Sequence, residues 1–342
     1  MHSFFQNIWG NDALRRNLGE ELRGGRFPHA HIIEGEWGFG KHLLAREIAM
    51  ALACESRTRA EKPLPCGSCR SCKRIREGNC PDVITITKAD RATMGVEVIR
   101  TLREGLATVP NDLDVKVYII EDAHTMTVQA QNALLLMLEE PPSFVVFLLL
   151  AEDAGALLET VRSRAPIHRL QPIHHCMIRD FLLTNSAEAA VLAAEHPAEL
   201  EALISLAAGS IGKALTLLDG EKRAPLMERR ARTNALVACL ADRTAPDSLL
   251  VALLSLGNTR DAVLADLAML KLAMRDLLLF GCAEHATLLF YTEREAAAEL
   301  ATRFTATRIL AIADALENAT EALTANANVR LTIINLFNHL ST

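Results

Sequence analysis

The sequence predicts an α/β domain with a mostly parallel sheet, followed by two wholly helical regions. Three features of the chain point there. Short apolar, β-rich runs at 32–33, 83–87, 115–120, 144–150 and 167–170 alternate with segments of helical periodicity. Strands alternating with helices make βαβ units, whose parallel sheet is covered on both faces. From about Gln171 the strand signals stop, and Ala- and Leu-rich helical segments run on, broken at Gly209-Ser210, Asp219-Gly220, Pro246 and Gly257-Asn258. Directly after the first strand lies Gly35-Glu36-Trp37-Gly38-Phe39-Gly40-Lys41, a turn of the G-x-x-x-x-G-K form.

In chain order, Leu14, Leu18 and Leu22 recur at helical spacing until Gly24-Gly25 stops them. The segment 26–31 then leads into the first strand. After the glycine-rich turn, Leu43, Leu44, Ile48 and Leu52 recur at helical spacing. Strand, turn and helix N-terminus are the context a phosphate-binding loop needs. Gly35, Gly38 and Gly40 let backbone N–H groups turn inward around phosphate oxygens, and Lys41 adds a point charge. The next position calls for Ser or Thr, whose hydroxyl ligates the magnesium of a bound nucleotide. It is His42, a poor ligand for hard magnesium at neutral pH. The loop is built to hold phosphate, or descends from one that did, and is not built for hydrolysis.

Cys66-Gly67-Ser68-Cys69-Arg70-Ser71-Cys72 follows, with Cys54 before it and Cys80 after it. Four thiolates in tetrahedral array suit a closed, structural zinc site. Unrelated buried cysteines are the alternative, yet three thiols seldom coincide in a turn-rich stretch that also holds Pro63, Pro65 and Gly67. Spacing alone leaves the fourth ligand open between Cys54 and Cys80. Next come a helix marked by Val96, Ile99, Leu102 and Leu106, and a buried strand at 115–120 that ends in Glu121-Asp122. In a nucleotide hydrolase that strand end holds a magnesium-binding Asp followed by a catalytic Glu. Here the order is reversed, which shifts carboxylate reach by about 1.5 Å, one C–C bond, and octahedral magnesium is sensitive to that. A strand end with solvated acids explains Glu121-Asp122 equally well in isolation; the glycine loop upstream favours a degenerate Walker B. A helix at 130–138, a strand at 144–150 and a helical stretch through Leu157, Leu158 and Val161 then lead to Arg162-Ser163-Arg164 and the last strand.

The chain of 342 residues has room for two or three domains. No run of about 18 uncharged apolar residues occurs, so no membrane span is expected. Met1-His2-Ser3-Phe4 opens no basic region with an apolar core behind it, and no export signal is read there. The 8 cysteines then imply a reducing, cytoplasmic setting. A net charge of −6 argues against a dedicated, strongly basic DNA binder, though not against weak DNA contacts within a larger complex.

The conjunction of the Cys-x2-Cys-x2-Cys run, Asn132-Ala133-Leu134-Leu135-Leu136-Met137-Leu138-Glu139-Glu140-Pro141-Pro142 and Arg162-Ser163-Arg164 resembles the bacterial clamp-loader subunits, AAA+ proteins of the DNA polymerase III holoenzyme. The resemblance spans nearly the whole chain. Within the family the sequence is similar to the non-hydrolysing delta-prime branch. The ATP-hydrolysing gamma/tau branch would keep Thr after the Lys and Asp-Glu at the strand end. His42, Glu121-Asp122, the absence of a long tail and Asn326-Ala327-Asn328-Val329-Arg330-Leu331 carry that choice.

The resemblance implies a AAA+ α/β domain over 1–170 with a zinc module inserted at about 54–80. A small helical lid domain over 171–221 and an all-α collar domain over 222–342 follow. It implies zinc on Cys54, Cys66, Cys69 and Cys72, with Cys80 a non-ligand in a Cys80-Pro81-Asp82 turn where relatives often carry His-Pro-Asp. It implies gamma/tau and delta subunits, the sliding clamp and primed DNA as partners, and no membrane. It makes Arg164, with Ser163, an arginine finger acting in trans; spacing alone would serve Arg162 or Arg169 as well. ATP binding at Gly35, Gly38, Gly40, Lys41, Glu121 and Asp122 is doubtful and turnover is not expected. Leu136 stands where relatives often have Lys, Glu152 near the usual sensor-one Thr, and Ala165 in place of a Cys. Gly209-Ser210-Ile211-Gly212-Lys213 occupies the sensor-two region with Lys rather than Arg. Two rival functions remain: an active gamma/tau-like ATPase, and a stand-alone zinc-containing scaffold that binds nucleotide.

Overall fold

The computed structural model describes residues 4–88, 91–242, 246–257, 259–282, 288, 290–291 and 294–341. The break expected at Asn258 and the N-terminal Met1, His2 and Ser3 lie outside the described residues. The chain forms two compact units, one of Met1–Ile173 with Ser210–Gly212, the other of His174–Gly209 with Lys213–Thr342.

In the first unit the order is α1 (Asp12–Arg23), β1 (Ala30–Glu34), α2 (Lys41–Leu52), α3 (Arg70–Arg76), β2 (Val83–Ile86), α4 (Val96–Leu106), β3 (Lys116–Ile120), α5 (Val128–Glu139), β4 (Val145–Ala151), α6 (Glu159–Arg162) and β5 (Ile167–Arg169). The helix α1 ends as its glycines require. The Gly24 N–H reaches Glu20 O at 2.8 Å and the Arg26 N–H reaches Glu21 O at 3.1 Å, while Gly25 takes the left-handed φ of +66°. The five strands pair in parallel in the order β2-β3-β4-β1-β5. Because β3 and β4 are buried along their whole length, they read as continuous apolar runs. Within them the two faces still alternate. Val117 and Ile119 pack with Leu44, Ile48 and Leu148, whereas Tyr118 and Ile120 pack with Ile99, Leu134 and Phe147.

Parallel pairing places the C-terminal ends of β1, β3 and β4 along one edge, where open α/β sheets bind ligands. The opposite edge is tied down by Asp82, fully buried, whose carboxylate accepts N–H groups of Asn111, Asp112 and Leu113 at 2.7, 2.7 and 2.9 Å.

The second unit holds α7 (His175–Asn185), α8 (Ala187–Glu195), α9 (Pro197–Leu206), most of α10 (Ile211–Leu217), α11 (Gly220–Ala241), α12 (Pro246–Leu254), α13 (Arg260–Cys282), α14 (Arg294–Ala301), α15 (Ala306–Thr324) and α16 (Val329–Leu340). Among the described residues no strand follows β5. Leu236, Leu253, Leu267, Met274, Leu316 and Leu336 form the centre of its core. A buried carboxylate is tolerated there because it is paired: Asp266 meets Arg229 Nε at 2.8 Å and Arg232 Nη2 at 3.3 Å, and accepts the Gly257 N–H at 2.9 Å. Among the described residues no helix is long and apolar enough to cross a membrane.

Candidate functional site

The glycine-rich turn joins β1 to α2, with Gly38 at φ +82° and Gly40 at φ +90°, conformations that only glycine adopts freely. Lys41 opens α2 and folds back into the turn. Its buried Nζ donates to Gly35 O at 2.5 Å and Glu36 O at 3.1 Å. Burial lowers the Lys41 pKa, against the opposing fields of Glu152, Asp122 and Glu36. The segment 210–212 packs against the turn. Its Gly212 N–H reaches Gly38 O at 3.0 Å, and Ser210 Oγ donates to Trp37 O at 3.3 Å. A Cβ on Gly212 would stand 2.6 Å from Gly38 Cα, so only glycine allows that approach. The sequence marks both segments, but nothing in it signals a contact across 173 residues.

The two positions that depart from a hydrolase face each other. His42 Nδ1 lies 3.1 Å from Glu121 Oε1. The contact sets the His42 ring against the Glu121 carboxylate. Asp122, at the left-handed φ of +47°, pairs instead with Lys88 Nζ at 3.2 Å. At the end of β4 the Glu152 N–H reaches His124 Nδ1 at 3.3 Å. Glu34 Oε1 accepts the Ala154 N–H at 3.0 Å, and its Oε2 meets Arg169 Nε at 2.5 Å. Lys88, His124, Glu34 and the Arg169 pairing escape sequence reasoning, because each joins elements far apart in the chain.

The sulfurs of Cys54, Cys66, Cys69 and Cys72 lie within 4.8 Å of one another. A zinc ion with Zn–S bonds of about 2.3 Å would set tetrahedral S···S separations of about 3.8 Å, and the donor set fits that ion. Cys54 follows the end of α2, Cys69 caps α3 and Cys72 lies within it. The thiol contact with Cys72 holds the Cys54 pKa down at about 5, and the same contact raises that of Cys72. Cys66 adds a backbone N–H to Cys54 Sγ at 3.4 Å. Cys80 is outside this group and is buried in the apolar core instead.

Arg164 follows α6. Its Nη2 meets Glu139 Oε1 at 2.7 Å, and Nη1 donates to Thr160 O at 3.1 Å and Ser163 Oγ at 3.5 Å. The side chain stays 36% exposed. Ser163 Oγ donates to Thr160 O at 3.0 Å, Arg162 is exposed, and Arg169 is held by Glu34.

Residues 10–174, which contain the loop, the sulfur cluster and Arg164, match the family model of the DNA polymerase III, delta subunit. The DNA polymerase III subunit tau/gamma of Haemophilus influenzae is 35% identical over 238 residues, 68% of this chain and 33% of that protein. The DNA polymerase III subunit gamma of Buchnera aphidicola is 33% identical over 216 residues, 63% of this chain and 58% of that protein. The chain thus spans between 33% and 58% of the length of these two relatives. The crystal structure of a DNA polymerase III gamma subunit-related protein from Thermotoga maritima is 18% identical, with a TM-score of 0.43 over 95% of this chain and 98% of that one.

Proposed function

We propose that this chain, which carries a DNA polymerase III delta-type domain and is homologous to the tau and gamma subunits, is the non-hydrolysing, delta-prime-type member of a clamp loader. The observation that carries this is the His42–Glu121 contact at 3.1 Å. It brings two positions that would hold magnesium into contact with each other, with Lys41 hydrogen-bonded to its own turn beside them. The AAA+ α/β domain spans 1–170, the lid domain 171–221 and the collar domain 222–342. The protein works in the cytoplasm with gamma/tau and delta subunits to load the sliding clamp on primed DNA.

Zinc held by Cys54, Cys66, Cys69 and Cys72 is structural, since a closed four-sulfur shell leaves no position for substrate. Arg164 acts in trans on ATP bound by a neighbouring subunit. A guanidinium that meets a γ-phosphate stabilises charge in the transition state, worth about 10³–10⁵ in rate in related systems. Lysine would replace it poorly, because the planar fork grips phosphate bidentately. A second possibility is an active ATPase of the same machine, favoured by the 35% identity to a tau/gamma subunit. An ATPase assay separates them. The isolated chain should show no steady turnover; turnover abolished by Lys41→Ala would establish the active enzyme instead.

A further inference from the structure

Two side chains of α5 grip the arginine segment at its two ends. Gln131 is buried, and its Oε1 accepts the N–H of Leu158, the residue that caps α6, at 2.7 Å. Its Nε2 donates to Met126 O at 3.1 Å and Ala156 O at 3.3 Å. Eight residues on, about 12 Å along the helix, Glu139 receives Arg164 Nη2 at 2.7 Å. Glu139 is the last residue of α5 and Glu140 follows it. Carboxylates there oppose the helix dipole, which favours cations at a C-terminus. Helix stability therefore gives no reason for Glu139, whereas a cation supplied by Arg164 does.

Resting on the role proposed for Arg164, the geometry points to Glu139 as its positioning residue. With Nη1 on the Thr160 carbonyl and Nη2 on Glu139, the guanidinium plane is held from the chain's own side. Among the described residues Nε makes no hydrogen bond, so its N–H and the second Nη2 hydrogen remain for an anion brought by a neighbour. A free arginine would have to order its several rotatable bonds when the phosphate arrives. Glu139 orders them beforehand and touches no nucleotide.

The test is a double-mutant cycle in the complex reconstituted with gamma/tau and delta subunits, read as DNA- and clamp-stimulated ATP turnover. Arg164→Ala should lower kcat, which checks the arginine's own role. Glu139→Ala should lower kcat about 2- to 5-fold, the range of an exposed ion pair, with the KM for ATP unchanged. Glu139→Gln, isosteric and still an acceptor, should fall between wild type and Glu139→Ala. On the Arg164→Ala background, Glu139→Ala should change nothing further. An equal loss on both backgrounds would mean a merely structural role and overturn the inference. Unchanged turnover for Glu139→Ala and Glu139→Gln, with Arg164→Ala impaired, would overturn it while leaving the arginine finger standing. Unchanged turnover for Arg164→Ala would remove both.

Discussion

At β1, His31 presents Nε2 to the Pro28 carbonyl at 3.0 Å and Nδ1 to His168 Nε2 at 2.8 Å. The carbonyl only accepts, so the hydrogen of a neutral His31 lies on Nε2, and its Nδ1 accepts from His168. A proton added to His31 would meet a buried site with no acceptor left. Burial accordingly lowers the His31 pKa from 6.5 to about 3 and that of His168 to about 4. The unfolded chain therefore binds more protons than the folded one between about 6.5 and those values, and stability falls as pH falls through that window. The expected loss at pH 5 relative to pH 7.5 is on the order of 2 kcal/mol for each of the two histidines, read from urea midpoints. His168→Gln, which still offers an N–H to His31, should flatten the dependence; parallel slopes for the two proteins would count against this pairing. Two histidines are plain in the sequence, but 137 residues separate them, and no local pattern announces the contact.

Around the sulfur cluster, α1 and the N-terminal segment brace a stretch with little regular structure of its own. The Phe5 N–H reaches Leu64 O at 2.9 Å, Arg23 donates to Ala60 O at 3.2 Å and Lys62 O at 2.7 Å, and Arg57 donates to Leu22 O at 2.8 Å. These bonds fix three carbonyls of the turn-rich segment and tie its Arg57 to α1, while the four sulfurs fix its centre. Metal analysis of the purified protein should give about one zinc per chain on the four-thiolate model. Cys54→Ser should release the metal and loosen the module to proteolysis, and Cys80→Ser should do neither. The reverse pattern would show the ligand set to be wrong. Three of these thiols are legible from spacing alone. Cys54 needs the tertiary path, because α2 must end beside α3 before its sulfur can join them.

For the molecule as a whole, the proposed function requires a partner's phosphate for Arg164 and a partner's catalytic groups for ATP turnover. Mixed with gamma/tau and delta subunits, the chain should enter a five-member complex whose native mass accounts for it. Failure to co-assemble with correctly folded subunits would favour the stand-alone scaffold.

The succession of β1 to β5 and the helical region after them was set by the sequence, because apolar periodicity, glycine stops and strand ends act over a few residues. The glycine turn, Lys41, the sulfur run and the reversed Glu121-Asp122 were readable for the same reason: each is a local pattern with a chemical meaning. What those residues touch was decided by tertiary structure. The strand order β2-β3-β4-β1-β5 brings β3 alongside β4 and β4 alongside β1, and so carries Glu121 to His42. The return of 210–212 onto the turn, the His31–His168 pair and the Glu139 grip on Arg164 arise likewise from packing, which joins residues 25 to 173 positions apart. Hydrogen bonds and ion pairs reach only about 3–4 Å, so such contacts form only after hydrophobic burial has settled which helices and strands lie side by side.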